Sequence, residues 1–407
     1  MKRSTAAAGT PRSPGLDGLR ALAVLAVIAF HEQLTAFPGG FLGVDVFFVL
    51  SGYLITDLLV AQWNRHGGLR LGAFWARRAR RLLPALAVVL VAVTAATALI
   101  EPGQLATLRQ ALLGAVTYSS NWWQIGHQSY FAQFGPPDPL QHLWSLAIEE
   151  QFYLVWPLLL IIVLKTCEST RIRAGVAWTA AALSAVTMAL IYVPGADPSR
   201  VYYGTDTHSS ALLIGSALAL SWPLRRLQGL TRQNVQAFDA VGLAGIAVLG
   251  WAMGHFAGQD SSLYPYGLLI AALAAGGVVL AAASTGLVSW LLGWGPLRWI
   301  GARSYGIYLW HWPVIALTAA ALRQQSESPL LWLAETALAI GLAAASWRWV
   351  EQPIMRDGFR AAIRGRATAV TGSITAGQWS PAAVFPAVAA VAAVAVAATA
   401  GYWVVHA

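Results

Sequence analysis

Apolar runs of about 20 residues recur from one end of the chain to the other, separated by short polar or basic stretches. Wound as an α-helix at about 1.5 Å per residue, a run of that length crosses roughly 30 Å of hydrocarbon. The pattern predicts spans at about 19–37, 41–61, 82–100, 142–164, 174–193, 207–222, 238–258, 264–284, 305–322, 330–349 and 383–405. The stretch 105–123 is apolar too, but it carries Arg109 and ends in "SSNWWQ", which suits an interfacial or re-entrant helix better than a span. The expected fold is all-α, a polytopic membrane helical bundle.

Composition agrees with that pattern, since 57% of the 407 residues are hydrophobic and 11% are charged. The single cysteine, Cys167, excludes an internal disulfide framework. No cleavable signal peptide is expected, because the first apolar run is full-length, lacks a small-residue cleavage site and leads at once into a second. The net charge of +9 raises the question of nucleic acid, and its distribution answers it. With the N-terminus in the cytoplasm, 23 of the 26 basic residues fall on the inner side, and only Arg109, Arg200 and Arg323 fall outside. That asymmetry predicts a multi-pass protein of a bacterial cytoplasmic membrane, with eleven spans, the N-terminus inside and the C-terminus outside. The basic excess is topology, and no nucleic-acid partner is implied. Residues 1–14 read as a cytoplasmic tail and 356–382, basic and then small and polar, as a cytoplasmic linker. The run 383–405 is nearly all Ala and Val and reads as an anchor.

Several polar side chains interrupt the apolar runs, and an ionisable group inside a bilayer is expensive enough to raise the question of function. Arg20 and His31 are three helical turns, about 16 Å, apart on one face of the first span, with Asp17 on the same face. Singly they read as a snorkelling arginine and an interfacial histidine; together they can line one cavity. In "GGFLGVDVFFVLSGYLIT", Asp45 either orients His31 or stays protonated, while Ser51, Gly43 and Gly52 suit helix packing. Arg77, Arg78, Arg80 and Arg81 in "FWARRARRLLP" form a dense cytoplasmic loop of cations, explained either by topology or by an anionic lipid or phosphorylated ligand. In "LQHLWSLAIEEQFYLVWP", the residues His142, Ser145, Glu149, Phe152 and Trp156 follow helical spacing and form one stripe, with Glu150 beside it. Asp206, Thr207 and His208 stand at the mouth of the sixth span, Tyr308 and His311 inside the ninth, and Glu351 at the end of the tenth. No metal-ligand spacing, Walker loop or dinucleotide glycine loop is present, and no metal is expected.

The combination resembles the integral-membrane acyltransferase-3 family, and within it the bacterial O-acetyltransferases that modify peptidoglycan, lipopolysaccharide O-antigen and other glycans. The resemblance runs from about residue 15 to 355 and rests on seven features in order: Arg20 with His31, "GFLGVDVFFVLSGYLIT", "RRARRLLP", "HLWSLAIEEQFYLVWP", "TDT", "SYGIYLWHWP" and "EQP". It implies a ten-helix acyltransferase core, here with an eleventh helix, that accepts an acyl group, usually acetyl from acetyl-CoA, on the cytoplasmic side and passes it to a hydroxyl across the membrane. On that reading His31 is the acyl-transfer residue, a general base or transient acyl carrier, with Glu149 and Asp45 as catalytic carboxylates. Arg20, Arg77, Arg80 and Arg81 hold the acyl-CoA phosphates, and His142, Ser145, Glu150, Asp206, His208, Tyr308 and His311 form the acceptor side or polar core. Two features depart from the family. His208 stands where relatives commonly carry Arg, and the extracytoplasmic SGNH-hydrolase-like domain that is common after an eleventh helix is either absent, supplied by another protein, or part of a longer chain. Acylation of a small secondary metabolite such as a macrolide is the alternative within the class, and a transporter or flippase the alternative outside it. The missing internal repeat and the motif order weigh against the last.

Overall fold

The computed structural model describes residues 13–127, 129–131, 137–323 and 328–358, and every regular element among them is helical. Helix α1 (Pro14–His31) is followed by α2 (Gly43–His66), α3 (Leu71–Ile100), the short α4 (Leu105–Val116) and α5 (Ser120–Ile125), then α6 (Leu143–Thr166) and α7 (Thr170–Ile191). Two turns of helix, α8 (Ser199–Tyr203) and α9 (Thr205–His208), lead into α10 (Ser210–Ser221), and α11 (Leu224–Leu227) turns the chain into α12 (Arg232–His255). The described chain then runs through α13 (Leu268–Ala283), α14 (Leu287–Leu292), α15 (Gly295–Gly301), α16 (Ser304–Leu322), α17 (Pro329–Ser346) and α18 (Gln352–Asp357). The span expected at 383–405, and all but the first three residues of the linker expected at 356–382, lie outside the described residues.

Eight described segments are long and apolar enough to cross a membrane: Pro14–His31, Gly40–His66, Leu71–Ile100, Leu143–Thr166, Thr170–Ile191, Arg232–His255, Leu263–Ala283 and Pro329–Arg356. Their outward faces carry large apolar side chains such as Leu154, Leu158, Ile162, Leu183 and Leu190, each more than 40% exposed. A helix that turns leucines outward and small or polar groups inward sits in lipid, and the chain is a multi-pass all-α membrane protein. The sixth and ninth expected spans differ from the rest. The sixth is broken at Ser209, and α10 has only 12 residues, about 18 Å of rise. It is buried along nearly its whole length, against α2, α7 and α13. The ninth, α16, is buried continuously from Gly306 to Thr318, against α17, α3 and α1. These two interior helices can carry polar residues because protein, not lipid, surrounds them.

Other boundaries move for local reasons. Pro14 occupies the first turn of α1, and Gln33 takes a left-handed backbone (φ 56°) just past its end, so the helix covers 14–31 instead of 19–37. His31 is therefore the last helical residue, and Arg20 lies in the second turn. The arginine cluster, expected in a loop, is helical, because Leu, Ala and Arg are all good helix formers and α3 runs unbroken for 30 residues. The stretch 105–123 forms the two short helices α4 and α5, neither long enough to span.

Where α2 crosses α10 the backbones nearly touch. A Cβ on Gly52 would stand 1.8 Å from the Leu212 carbonyl oxygen, and one on Gly215 would stand 2.1 Å from that of Val49. Only a missing side chain allows this approach. Gly52→Ala must push α2 and α10 apart and is expected to lower stability by about 1–3 kcal/mol, the usual range for overpacking. A thermal unfolding scan in detergent checks this, and an unchanged midpoint would contradict it.

Candidate functional site

One cavity, of about 740 Å³, opens between α1, α2, α3, α6, α16 and α18. Its walls carry five arginines, Arg20, Arg77, Arg78, Arg81 and Arg356, against the carboxyls of Asp17, Asp57 and Glu149. The Arg20 guanidinium is 3.9 Å from Asp17, one turn earlier on α1. Arg78 lies 3.6 Å above the Tyr153 ring and 4.0 Å from Glu150, so part of its charge is already matched. The stripe on α6 is present: Ser145 and Glu149 face the cavity, and deeper along the helix Trp156 donates to Thr56 at 2.8 Å. Glu149 accepts hydrogen bonds from the hydroxyls of Ser51 and Tyr153. Arg80 stands off the cavity wall that Arg77, Arg78 and Arg81 line.

A second cavity, of about 1080 Å³, lies at the other end of α1. Phe30, His31, Phe37, Tyr130, Phe131 and Trp312 give it an aromatic wall, with Glu101 and Arg323 at its edge. The hydrogen bonds of His31 define its protonation. Nδ1 is 3.0 Å from the Val27 carbonyl, an acceptor only, so Nδ1 carries the proton. His311 obeys the same logic: its Nδ1 donates to the Tyr308 carbonyl, and its Nε2 lone pair stands 3.1 Å from His31 Nδ1. The neutral His31 ring therefore keeps its lone pair on Nε2, where it accepts from the Tyr130 hydroxyl at 3.2 Å. Burial holds the Tyr130 phenol well above its ordinary range, so the hydroxyl keeps its proton at rest.

Between the two cavities lie Tyr308, His142 and His311, with His311 5.2 Å from the Tyr308 ring and 5.0 Å from the His31 ring. Tyr308 and Ser145 face the arginine cavity, their hydroxyls 2.6 Å apart, and the Tyr308 hydroxyl also donates to the His142 carbonyl at 3.0 Å. The His142 ring sits 5.5 Å from the rings of both Tyr308 and His311. It is buried, and neither of its nitrogens closes a hydrogen bond of ordinary geometry. Arg20 and His31 thus face different cavities, three turns apart along one helix.

Two expected site groups lie elsewhere. Asp45 does not reach His31; its Oδ1 pairs with His208 Nε2 at 3.0 Å, and both side chains are about 1% exposed. His208 Nδ1 reaches the Tyr202 carbonyl at 2.6 Å, so the residue standing in place of a family arginine ties α2 to the α8–α9 turn. Asp206 lies on the surface, where two hydrogen bonds from Arg200, at 2.8 and 3.1 Å, hold its carboxyl below the usual range. The sequence reading missed Tyr130 and Trp312. Tyr130 lies in an irregular loop, 99 positions from His31, where no periodicity marks it. Trp312 was hidden among the aromatic residues of "LWHWPV", and it packs 4.7 Å from the His31 ring.

This is a multi-pass membrane protein with a two-ended polar interior. Residues 13–348 match the family model described as an acyltransferase domain, and the chain belongs to that acyltransferase-3 family. It is 45% identical over 353 residues to peptidoglycan O-acetyltransferase OatA of Listeria monocytogenes, covering 85% of this chain and 56% of that protein. It is 42% identical to the putative peptidoglycan O-acetyltransferase YrhL of Bacillus subtilis, covering 86% of this chain and 56% of that protein. Identity to O-acetyltransferase OatA of Staphylococcus aureus is 38%, covering 86% and 58% respectively. The chain therefore spans somewhat more than half the length of these relatives. No solved structure matches it.

The Asp45–His208 pair predicts a structural phenotype. Asp45→Ala leaves a buried imidazole without its partner and is expected to cost about 3–5 kcal/mol, whereas Asp45→Asn keeps an acceptor and costs less. Folded yield and unfolding midpoint in detergent check the order. Full stability of Asp45→Ala with lost activity would instead argue for a chemical role.

Proposed function

We propose that this protein is a membrane O-acyltransferase that receives an acetyl group from acetyl-CoA in the Arg20 cavity and delivers it to a hydroxyl of peptidoglycan or a related envelope glycan at the His31 cavity. The observation that carries this reading is the His31 Nε2 lone pair, held against a hydroxyl and linked through His311 to Tyr308 on the wall of a cationic cavity. A half-buried base on a cavity wall beside a hydroxyl is the arrangement needed to activate an oxygen nucleophile. The relatives' names, which describe peptidoglycan O-acetyltransferases, supply the acetyl group and the glycan. The distribution of basic residues supports a cytoplasmic arginine cavity and an outward histidine cavity. An SGNH-hydrolase-like extracytoplasmic protein fits as the partner that receives the acetyl group there.

The chemistry follows from the placement of groups. Coenzyme A carries phosphates, and Arg20, Arg77 and Arg81 offer guanidinium groups in a cavity within the size range of small-molecule sites, about 300–1,000 Å³. An acyl-CoA seated with its phosphates on these arginines would bring its thioester toward the Ser145–Tyr308 pair on the same cavity wall. On the other side His31 Nε2 takes the proton of the attacking hydroxyl, whose oxygen forms the new ester bond as the C–S bond breaks and the thiolate leaves into the arginine cavity. Tyr130 occupies the place where an attacking hydroxyl must stand, so its own hydroxyl is either the first acyl acceptor or the group that positions one.

His31→Ala is expected to lower transfer from labelled acetyl-CoA by roughly 10²–10⁴, the usual contribution of a general base, with the protein still folded in detergent. Tyr130→Phe, which keeps the ring packing, is expected to lower it at least about tenfold. Activity retained in His31→Ala would sink the reading. Arg20→Ala is expected to raise KM for acetyl-CoA with little change in kcat, and an unchanged KM would remove Arg20 from the donor site.

A further inference from the structure

Beside His31 stands a pair of acids outside the machinery described so far. Glu32 follows His31 at the end of α1, and Glu335 lies in the second turn of α17; they are 5% and 4% exposed. Their carboxyls lie within hydrogen-bonding reach of each other, with the Thr318 hydroxyl of α16 beside Glu335 on the same small cavity. Among the described residues, Glu32 Oε1 has no hydrogen-bond partner. Together with His31, these residues line a small cavity of about 30 Å³, separate from the two large ones.

Two carboxylates cannot hydrogen-bond to each other, because neither has a donor; a proton must sit between them. Two acids in contact in a buried site share one proton and carry one negative charge, since ionising both would place like charges side by side. Among the described titratable groups around His31, Tyr130, His311 and His142 bring no negative charge, and the Asp138 carboxyl, behind Trp312, accepts a hydrogen bond from the Leu140 backbone N–H. Asp45 is paired with His208, and Glu149 faces the arginine cavity. Glu101 and Arg323, on the wall of the large cavity, are of opposite sign.

We propose that Glu32 and Glu335 are a positioning pair that sets one negative charge opposite the His31 imidazolium while His31 holds the proton of the acceptor hydroxyl. This rests on His31 acting as the base proposed above. In the step, the acceptor O–H bond breaks, its proton goes to Nε2, the oxygen pair forms the C–O bond, and the C–S pair leaves on the CoA sulfur. The acids exchange no atom; they offset the charge that the ring gains, as a carboxylate does in a serine hydrolase triad.

The test compares wild type, Glu32→Gln, Glu335→Gln and the double variant, with labelled acetyl-CoA and solubilised peptidoglycan strands. Each single variant leaves one carboxylate, hydrogen-bonded to the new amide, so the charge survives. The double variant removes it. Losing a nearby negative charge disfavours the imidazolium, and activity needs the neutral ring. The acid limb of kcat/KM is therefore expected to move down by about one pH unit in the double variant, with a loss greater than the two single losses combined, and to move little in the singles. An unmoved limb in a folded double variant, or single variants as damaged as the double, would overturn the pair's role. The infrared difference at neutral pH between wild type and either single variant reads the shared proton without turnover. A protonated-carboxyl stretch present only in wild type is expected, and its absence from the difference would overturn the proposal even if the double variant fails to fold. A wild type that moves no acetyl from acetyl-CoA would defeat the proposed function, while the infrared difference would still judge the pair.

Discussion

The Val27 carbonyl holds a proton on Nδ1 of His31, and the chemistry of the interior depends on the lone pair that this leaves on Nε2. A histidine with the opposite tautomer would present an N–H to the Tyr130 hydroxyl and could not take a proton from it. The acceptor belongs to the backbone of the same helix, one turn back, so the tautomer is set by the end of α1. That end is set in turn by Gln33, whose left-handed backbone, two residues past His31, keeps the helix from continuing. His311, fixed in the same tautomer by the Tyr308 carbonyl, lends a second lone pair and links the ring to the side chains between the cavities.

Burying this much polarity in a membrane demands that protein replace water around it. The bundle does so with two helices that face little lipid. Helix α10 lies against α2 across the glycine contacts at Gly52 and Gly215, while α16 carries Tyr308 and His311 between α1, α3 and α17. The buried Asp45–His208 pair and the Ser184 hydroxyl, which donates to the carbonyls of Asp206 and Thr207, fasten the turn ahead of α10. The arginine side is arranged differently: its charges face an open cavity, where Arg20 stands 3.9 Å from Asp17 and Arg78 is set between Glu150 and the Tyr153 ring.

Much of this was legible in the sequence because it depends on composition and period. Apolar runs located the long helices, and the three-turn spacing of Arg20 and His31 gave their common helix. The same pattern misplaced what depends on contact. A carboxylate in a span points to some buried partner without saying which, so Asp45 was open to pairing with His31 when its partner is His208, 163 positions away. Hydropathy does not see caps, so it places the start of α1 five residues late, and it does not distinguish a loop from helix-forming arginines next to the membrane. Glu335 was within reach of sequence reasoning, since an acid inside the tenth apolar run raises the same question as Arg20. Tyr130 was not, because an irregular loop brings it to His31 by tertiary folding alone.

The central claim is that donor and acceptor meet from opposite ends of the bundle. Proteoliposomes with the protein in one orientation test it directly, with labelled acetyl-CoA sealed on one face and glycan strands supplied on either. Label is expected on the glycan only when donor and acceptor are on opposite faces, with the donor on the face of the Arg20 cavity. Equal labelling with both on the same face would contradict the account.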